Sequence, residues 1–362
     1  MKIQTTKLQE MVARVAKCAG CNPLIPKTEM IAIEQKDGVL QFITTDATNY
    51  LYVKAENDDE DFYAVVKVEQ FSKLIARMTC ETTTLSVEGN VLKITGNGTY
   101  SIGMEVDESV GGLVKYPNPV ASITSKEQIG TMSASMVKTI LNSIKPALPA
   151  DKNDNSVPIY LNYFVGDVVV ATDNNKIAVL EQKVLEQPVI ISPVLMGLLD
   201  IITEDSIEVY ITEDNKIEFS TPTCDVLGNL VYNPSDYPTQ GIMKCIRTEY
   251  PGTCKLPKAQ LLQMFDRLSL FVGAFDSGII SLRTKENGIE VMSQQSDGVE
   301  FIEYTEPVSE FIDFSCMVNL EMLRAQVKAQ TGDVVEFFFG IPSSVKLVDS
   351  NTNVVSIVAL AS

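Results

Sequence analysis

Apolar positions recur every three or four residues over six segments: 5–19, 67–79, 133–147, 192–202, 257–271 and 317–330. In the first, Leu8, Met11, Val12, Val15 and Ala19 share one arc, which predicts an amphipathic helix with a buried stripe. Phe71, Leu74, Ile75 and Met78 make the stripe of the second, and Val137, Ile140, Leu141 and Ile144 that of the third. Between helices the period drops to two, the spacing of a half-buried strand. Gly38–Asp46 alternates in this way and has counterparts in Gly166–Asp173 and Gly288–Ser293. Each second helix of a pair runs into another alternating stretch, at Thr84–Val87, Ile207–Ile211 and Val334–Phe338. Turn residues follow each stretch, at Glu88-Gly89-Asn90, Glu213-Asp214-Asn215 and Ile341-Pro342-Ser343-Ser344, and predict hairpins.

The same element order therefore occurs three times. First helices begin near Thr5, Ser133 and Pro257, offsets of 128 and 124 residues; second helices begin near Lys67, Ser192 and Met317, offsets of 125 and 125. A period this long is the size of a whole domain rather than of a solenoid unit. The expected fold class is α+β: three repeated domains, residues 1–122, 123–243 and 244–362, each with two helices packed on antiparallel sheet. Exposed edge strands would let repeats join edge to edge, and two chains could then close a ring.

Composition narrows the chemistry. With 362 residues, 45% hydrophobic and 21% charged, the chain has enough apolar side chain for three cores. No apolar run approaches the ~18 residues of a membrane span, and the first residues lack a basic-then-apolar signal pattern. A cytoplasmic location is expected. Seven scattered cysteines, an odd number, read as thiols rather than a disulfide framework, although Cys18 and Cys21 form a C-x-x-C. There is no histidine, which excludes Ser-His and Cys-His nucleophile pairs and imidazole metal sites. No phosphate-binding loop or dinucleotide fingerprint is present. The expectation is of no catalytic residue, no metal and no cofactor.

Charge is distributed unevenly. The formal net charge is −18, yet the six helical segments carry +2, +2, +2, −1, +1 and +1, leaving −25 on the rest. The basic side chains sit opposite the apolar stripes. Lys7, Arg14 and Lys17 fall within about 80° of arc at about 100° per residue. Lys73 and Arg77 form a row, Lys138 and Lys145 lie seven apart, Lys258 and Arg267 occupy the fifth helix, and Arg324 and Lys328 the sixth. A cation-lined surface in an acidic protein focuses field on a polyanion, and Lys and Arg so spaced would meet phosphates without reading bases.

Thr45-Asp46 and Thr172-Asp173 repeat at strand ends. Thr-Asp there most simply hydrogen-bonds its own turn; the catalytic alternative, a carboxylate-dependent hydrolase, would require Asp173 for turnover. The segment Val170-Ala171-Thr172-Asp173-Asn174-Asn175-Lys176-Ile177-Ala178-Val179 resembles the second-domain motif, roughly A-T-D-G-H-R-L-A, of bacterial DNA polymerase III beta subunits, the sliding clamps. Tyr116-Pro117-Asn118, Asp236-Tyr237-Pro238 and Phe314-Ser315 to Leu323 match in the same order, so the resemblance spans all three repeats.

The resemblance implies a DNA clamp fold, in which each chain forms half of a closed ring, as a head-to-tail homodimer encircling double-stranded DNA. It implies a non-enzymatic processivity factor that tethers a replicative polymerase and is opened by an ATP-driven loader. A partner-peptide cleft would use Thr172, Asn174, Asn175, Lys176, Ile177, Met243, Ser344, Ile357, Val358, Ala359 and Leu360. Tyr100 and Ile102 of one subunit would meet Leu270 and Phe271 of the next. Asn174-Asn175 stand where the family has Gly-His, Lys176 stands for Arg, and Ala359-Leu360-Ala361-Ser362 replaces a Met-Pro-containing tail, so a different peptide preference is expected. The competing reading is a triplicated protein-interaction ring without DNA, motivated by the acidic total and by the fourth helix, which lacks a basic residue.

Overall fold

The computed structural model describes residues 1–20, 22, 24–107, 112–150, 157–272, 278–294, 296–306 and 311–361. Each copy of the repeat has a strand, a helix, strands, a second helix and three further strands. The first copy contains β1 (Lys2–Gln4), α1 (Thr5–Val15), β2 (Met30–Lys36), β3 (Val39–Thr45), β4 (Tyr50–Glu56), β5 (Phe62–Lys67), α2 (Val68–Ile75), β6 (Thr82–Glu88), β7 (Val91–Thr95) and β8 (Thr99–Gly103). A small pair follows, β9 (Val106–Asp107) and β10 (Gly112–Leu113).

The second copy contains β11 (Lys126–Met132), α3 (Ala134–Thr139), β12 (Tyr163–Val165), β13 (Val169–Thr172), β14 (Lys176–Leu180), β15 (Val189–Ile191), α4 (Pro193–Leu198), β16 (Ile207–Thr212), β17 (Lys216–Ser220) and β18 (Cys224–Asn229). A helix that periodicity did not predict, α5 (Thr239–Ile246), comes next. It is eight residues long, too short to establish a repeat of apolar positions. The third copy contains β19 (Gly252–Pro257), α6 (Lys258–Leu268), β20 (Ile279–Lys285), β21 (Gly288–Ser293), β22 (Val299–Glu303), β23 (Ser315–Asn319), α7 (Leu320–Ala329), β24 (Val334–Phe339), β25 (Ser344–Asp349) and β26 (Val354–Ala359).

All six expected helices are present and begin within three residues of their expected starts. The largest shift is in α7. Ser315–Asn319 pairs with β20 as a strand, and the Asn319 side chain then caps α7 by accepting from the Met322 N–H at 3.0 Å. The third helix is not uniform either: it widens to a π turn at Ile140–Ile144 and tightens to a 3-10 turn at Lys145–Ala147. Pro146 has no N–H to continue an α-helical ladder, which accounts for the change of winding.

Contacts divide the chain into two compact units, Met1–Ala134 with Val194–Leu230, and Ser135–Pro193 with Val231–Ser362. The first unit holds a four-stranded sheet, β1-β6-β7-β8, and an eight-stranded sheet, β11-β16-β17-β18-β4-β3-β2-β5. The second holds an eight-stranded sheet, β15-β12-β13-β14-β26-β25-β24-β19, and a four-stranded sheet, β22-β21-β20-β23. Strands of the second copy are thus shared between two sheets: β18 pairs with β4 of the first copy, and β14 with β26 of the third. Hydrogen-bonded sheet crosses the repeat boundaries, so contact density follows the sheets rather than the repeats.

In the first unit α1 packs on β3 and β4, with Leu8, Val12 and Val15 no more than 2% exposed. In the second, α6 and α7 pack on each other, and α7 bridges β26 of the larger sheet and β23 of the smaller. Phe265, Val327, Val335 and Val358 are fully buried beneath them. Each such side chain contributes about 1.5 to 3 kcal/mol by leaving water, which is what fixes the helices on these sheets. Among the described residues no helix is long and apolar enough to cross a membrane, and no group of three or more Cys, Asp or Glu side chains is placed to hold a metal ion. The six described cysteines are free thiols; Cys21 lies outside the described residues.

Candidate functional site

The repeated Thr-Asp is a turn built twice from the same bonds. At the end of β3, the Thr45 hydroxyl donates to Asn49 O (2.6 Å) and accepts from Ala47 N–H (3.0 Å). The Asp46 carboxylate accepts from Thr48 N–H (2.8 Å) and Asn49 N–H (2.6 Å). At the end of β13, the Thr172 hydroxyl donates to Lys176 O (2.7 Å) and accepts from Asn174 N–H (3.1 Å). Asp173 accepts from Asn175 N–H (2.9 Å) and Lys176 N–H (2.6 Å). Both carboxylates are committed to their own turns, as the local-turn expectation required, and they lie in different units. The third residue of each turn is left-handed, Ala47 at φ 83° and Asn174 at φ 75°. Glycine or asparagine fits that conformation without the clash other side chains meet.

The second turn borders the sheet face of the second unit on which the expected partner-peptide cleft would lie. Registers of β14, β26, β25 and β24 place Ile177, Ile357, Lys346 and Phe338 directly opposite one another in series, and so on one face of the sheet. Ile177, Ile357 and Met243 of α5 belong to one apolar cluster on that face. Ala359 N–H donates to Asn175 O at 2.8 Å and ties the last strand to the turn. Asn174 and Asn175 are exposed, and Ser344 is half-buried with its hydroxyl 2.8 Å from the Tyr250 hydroxyl.

Other residues expected in this cleft point elsewhere. Val358 is fully buried on the opposite face with Val345 and Leu347, because alternation along β26 turns it away from Ile357. Leu360 packs toward Phe314 and Cys316 beside a separate hollow of about 340 Å³ bordered by Met317 and Pro342. Lys176 is only 6% exposed; its ammonium donates to Pro146 O (3.0 Å) and Leu148 O (3.4 Å) and pairs with Asp173 (3.2 Å). That side chain fastens the turn to the end of the third helix instead of reaching outward. Tyr250, Phe338 and Lys346 escaped the sequence reading. The signal for two of them was the strand alternation that carries Ser344, Lys346 and Phe338 on common faces.

The eleven helix cations fall into two groups. Five are engaged within their own unit. Arg14 is 14% exposed and donates to the Thr223 hydroxyl (3.4 Å), with Glu10 at 4.0 Å and Glu204 at 3.9 Å. Lys73 pairs with Glu69, Arg267 with Glu300, and Arg324 with Asp266 and Glu321. Lys258 donates to Gln330 O. The remaining six, Lys7, Lys17, Arg77, Lys138, Lys145 and Lys328, are exposed and have no ion-pair partner among the described residues. Three belong to each unit. These six share the repeated helices of a chain of net charge −18, while Lys2, Lys27, Lys36, Lys67, Lys115, Lys244, Arg247 and Arg283 are likewise exposed without an ion-pair partner among the described residues.

The four-stranded sheets end in unpaired strands. On β8, Tyr100 is 39% exposed whereas Ile102 is 3% exposed and faces the core. In the second unit Leu270 is 82% and Phe271 49% exposed. A side chain at Gly298 would meet the Phe271 ring at 3.0 Å, so that ring lies against the start of β22, where Val299 and Phe301 are also about half exposed. Val299 and Phe301 extend the patch beyond the two residues expected from sequence. Alternation of Val299 and Phe301 along β22 was the available signal.

No protein-family model and no curated protein sequence matches this chain. Solved structures do. A DNA polymerase sliding clamp from Bacillus subtilis superposes over 100% of this chain and 98% of its own, with TM-score 0.81 and 18% identity. The beta subunit of a Streptococcus pyogenes DNA polymerase superposes over 99% of both chains, with TM-score 0.84 and 14% identity. A DNA polymerase III beta subunit from Thermotoga maritima superposes over 100% of this chain and 98% of its own, with TM-score 0.80 and 17% identity. The chain has, over its whole length, the fold of the bacterial DNA polymerase sliding clamps.

Proposed function

We propose that this protein is a DNA sliding clamp, a non-enzymatic processivity factor of three domains bounded near residues 122 and 243. Two chains join head to tail into a ring around double-stranded DNA and tether the replicative polymerase and other DNA-processing proteins. The observation that carries this reading is the placing of six exposed cations without an ion-pair partner among the described residues on the repeated helices of a protein of net charge −18. Few phosphate contacts give a weak, sequence-independent and salt-sensitive hold, which is what a sliding ring needs, since topology rather than affinity retains it. The full-length likeness to sliding clamps supports the same reading. The exposed apolar edges at Tyr100 on β8 and at Phe271, Val299 and Phe301 beside β22 are the surfaces through which the rings would close. The cleft at Ile177, Met243 and Ile357 would take the partners' peptides, and an ATP-driven loader would open the ring, because the chain has no nucleotide loop of its own.

Retention on DNA tests this directly. After loading onto a nicked circular plasmid, the protein is expected to stay bound through a high-salt wash and to be released when the plasmid is linearised. Equal loss from circular and linear DNA would reject the clamp. Neutralising Lys7, Lys17, Arg77, Lys138, Lys145 and Lys328 together separates the clamp from a ring that scaffolds proteins without DNA. Reduced loading and dwell with an unchanged dimer mass favours the clamp, and unchanged behaviour favours the scaffold.

A further inference from the structure

The first and third copies set their helix cations in different electrostatic surroundings, and the repeat lets them be compared position by position. Helices α1 and α6 are both 11 residues long, and the buried Leu8, Met11, Val12 and Val15 match the buried Leu261, Met264, Phe265 and Leu268. Ala13 and Asp266 are then equivalent, as are Arg14 and Arg267. In the second helices Glu69 matches Glu321, and Ser72 matches Arg324. In the first copy Ala13 and Ser72 border a hollow of about 470 Å³ between α1 and α2. In the third copy the same two positions hold Asp266 and Arg324, which pair across α6 and α7. Glu321 reaches the same guanidinium at 3.2 Å. Arg267 is gripped by Glu300 of β22, whose carboxylate accepts from Nε at 2.9 and 3.1 Å and also from Nη2. With Lys258 bonded to Gln330 O, Lys328 is the one cation of α6 and α7 without such a partner among the described residues. Lys7, Lys17 and Arg77 keep that state in the first copy.

We infer that Asp266, Glu300 and Glu321 hold Arg267 and Arg324 off the phosphates of the encircled duplex, which makes the third copy the weaker-holding part of the ring. A phosphate contact gains affinity by releasing counterions, and it does so only through a cation that is not already neutralised. To reach a phosphate, Arg267 must give up its bidentate bonds to Glu300 or carry that carboxylate toward the polyanion. Asp266 is the more telling residue. It stands in the last turn of α6, where the helix dipole disfavours a carboxylate, so its own helix gives no reason for it. Its partner Arg324 on α7 does. Asp266 and Glu321 are more than half exposed, so the masking pairs lie at the surface rather than inside the core. A ring that has to move along DNA gains from cations withheld in this way, because each phosphate contact must break at every step. This inference rests on the proposed clamp and names the side chains that weaken its grip.

The test measures binding of the full-length protein to a short linear duplex as salt is raised. One variant combines Asp266→Asn, Glu300→Gln and Glu321→Gln; a control combines Asp58→Asn, Glu60→Gln and Asp61→Asn, which removes the same charge from an exposed loop of the first copy. Two added phosphate contacts should steepen the dependence of log affinity on log salt by about 1.8 in the first variant. Its affinity should therefore fall about tenfold further than that of wild type between about 50 and 200 mM salt. The control should keep the wild-type slope, and adding Arg267→Gln and Arg324→Gln to the first variant should restore it. Circular dichroism and sedimentation check that fold and mass are unchanged. Where Glu300→Gln disturbs the mass, Asp266→Asn with Glu321→Gln alone should steepen the slope by about 0.9. Equal slopes for wild type and variant, the same gain in the control, or a gain that survives loss of both arginines would overturn the inference. If the slopes coincide while wild type stays on a nicked circular plasmid, the clamp stands and the masking falls. If no protein is held on circular DNA, the clamp reading falls and the inference with it.

Discussion

Ala47 and Asn174 occupy the same left-handed position of the same turn with different side chains, and the difference has an energetic consequence. An L-residue with a Cβ is strained there, whereas asparagine tolerates the region and glycine is unstrained. Ala47 is exposed, so no packing offsets the strain. Ala47→Gly is therefore expected to stabilise the protein by about 0.5 to 1 kcal/mol after the entropy glycine adds to the unfolded chain, read as a higher urea midpoint. Lys176 presents the opposite case. Removing its ammonium with Lys176→Met leaves the Asp173 carboxylate and two carbonyls without their partner in a buried place. A loss of about 3 kcal/mol is expected, which chemical denaturation would detect. A variant as stable as wild type would mean that the side chain acts at the surface instead.

At the scale of elements, α1 is fastened to its unit by charge as well as by its apolar stripe. Arg14 reaches Thr223 and Glu204, and Glu204 in turn accepts from Thr221 (2.9 Å) and Thr223. Burial pushes the Glu204 carboxyl up, but the hydroxyl bonds from Thr223 and Thr221 and the Arg14 charge outweigh it and bring it down to about 2. A depressed folded-state value stabilises above the unfolded value of 4.5, and the contribution disappears as pH falls from there toward about 2. Glu204→Gln should accordingly lower the melting temperature at neutral pH, with the gap from wild type closing across that acid range. A gap that stays constant down to pH 2.5 would show that the charge is not what matters. Edge strands make a second element-scale point. Phe301 is about half exposed on β22, so the proposed head-to-tail dimer predicts that Phe301→Asp leaves the protomer folded while halving the mass seen by sedimentation.

At the scale of the whole molecule, the repeat was legible because its period survives in the spacing of helices and turns even where residue identities do not. Three copies of one element order, six helices and all three hairpin turns could be placed from alternation and turn residues alone. Candidate sites were less legible. Sequence separates a basic face from an apolar one, but it does not say which cations find a carboxylate or carbonyl partner, so Arg14, Lys73, Lys258, Arg267 and Arg324 looked equivalent to the six without an ion-pair partner among the described residues. Lys73 meets Glu69 four residues away, but the others depend on distant neighbours, up to 209 residues away between Arg14 and Thr223.

The amino-acid order by itself determined the six repeated helices, the alternating strands beside them, the local Thr-Asp turns and the concentration of positive charge on those helices, since each depends on residues within a few positions of one another. Only the tertiary structure decided which strands of the second copy joined the sheets of the first and third, which of Ile357 and Val358 faced the cleft, and that Lys176 turned inward. The physical reason is the same in each case. Sheet register and side-chain pairing are settled between segments far apart in the chain, where local pattern carries no information about the partner.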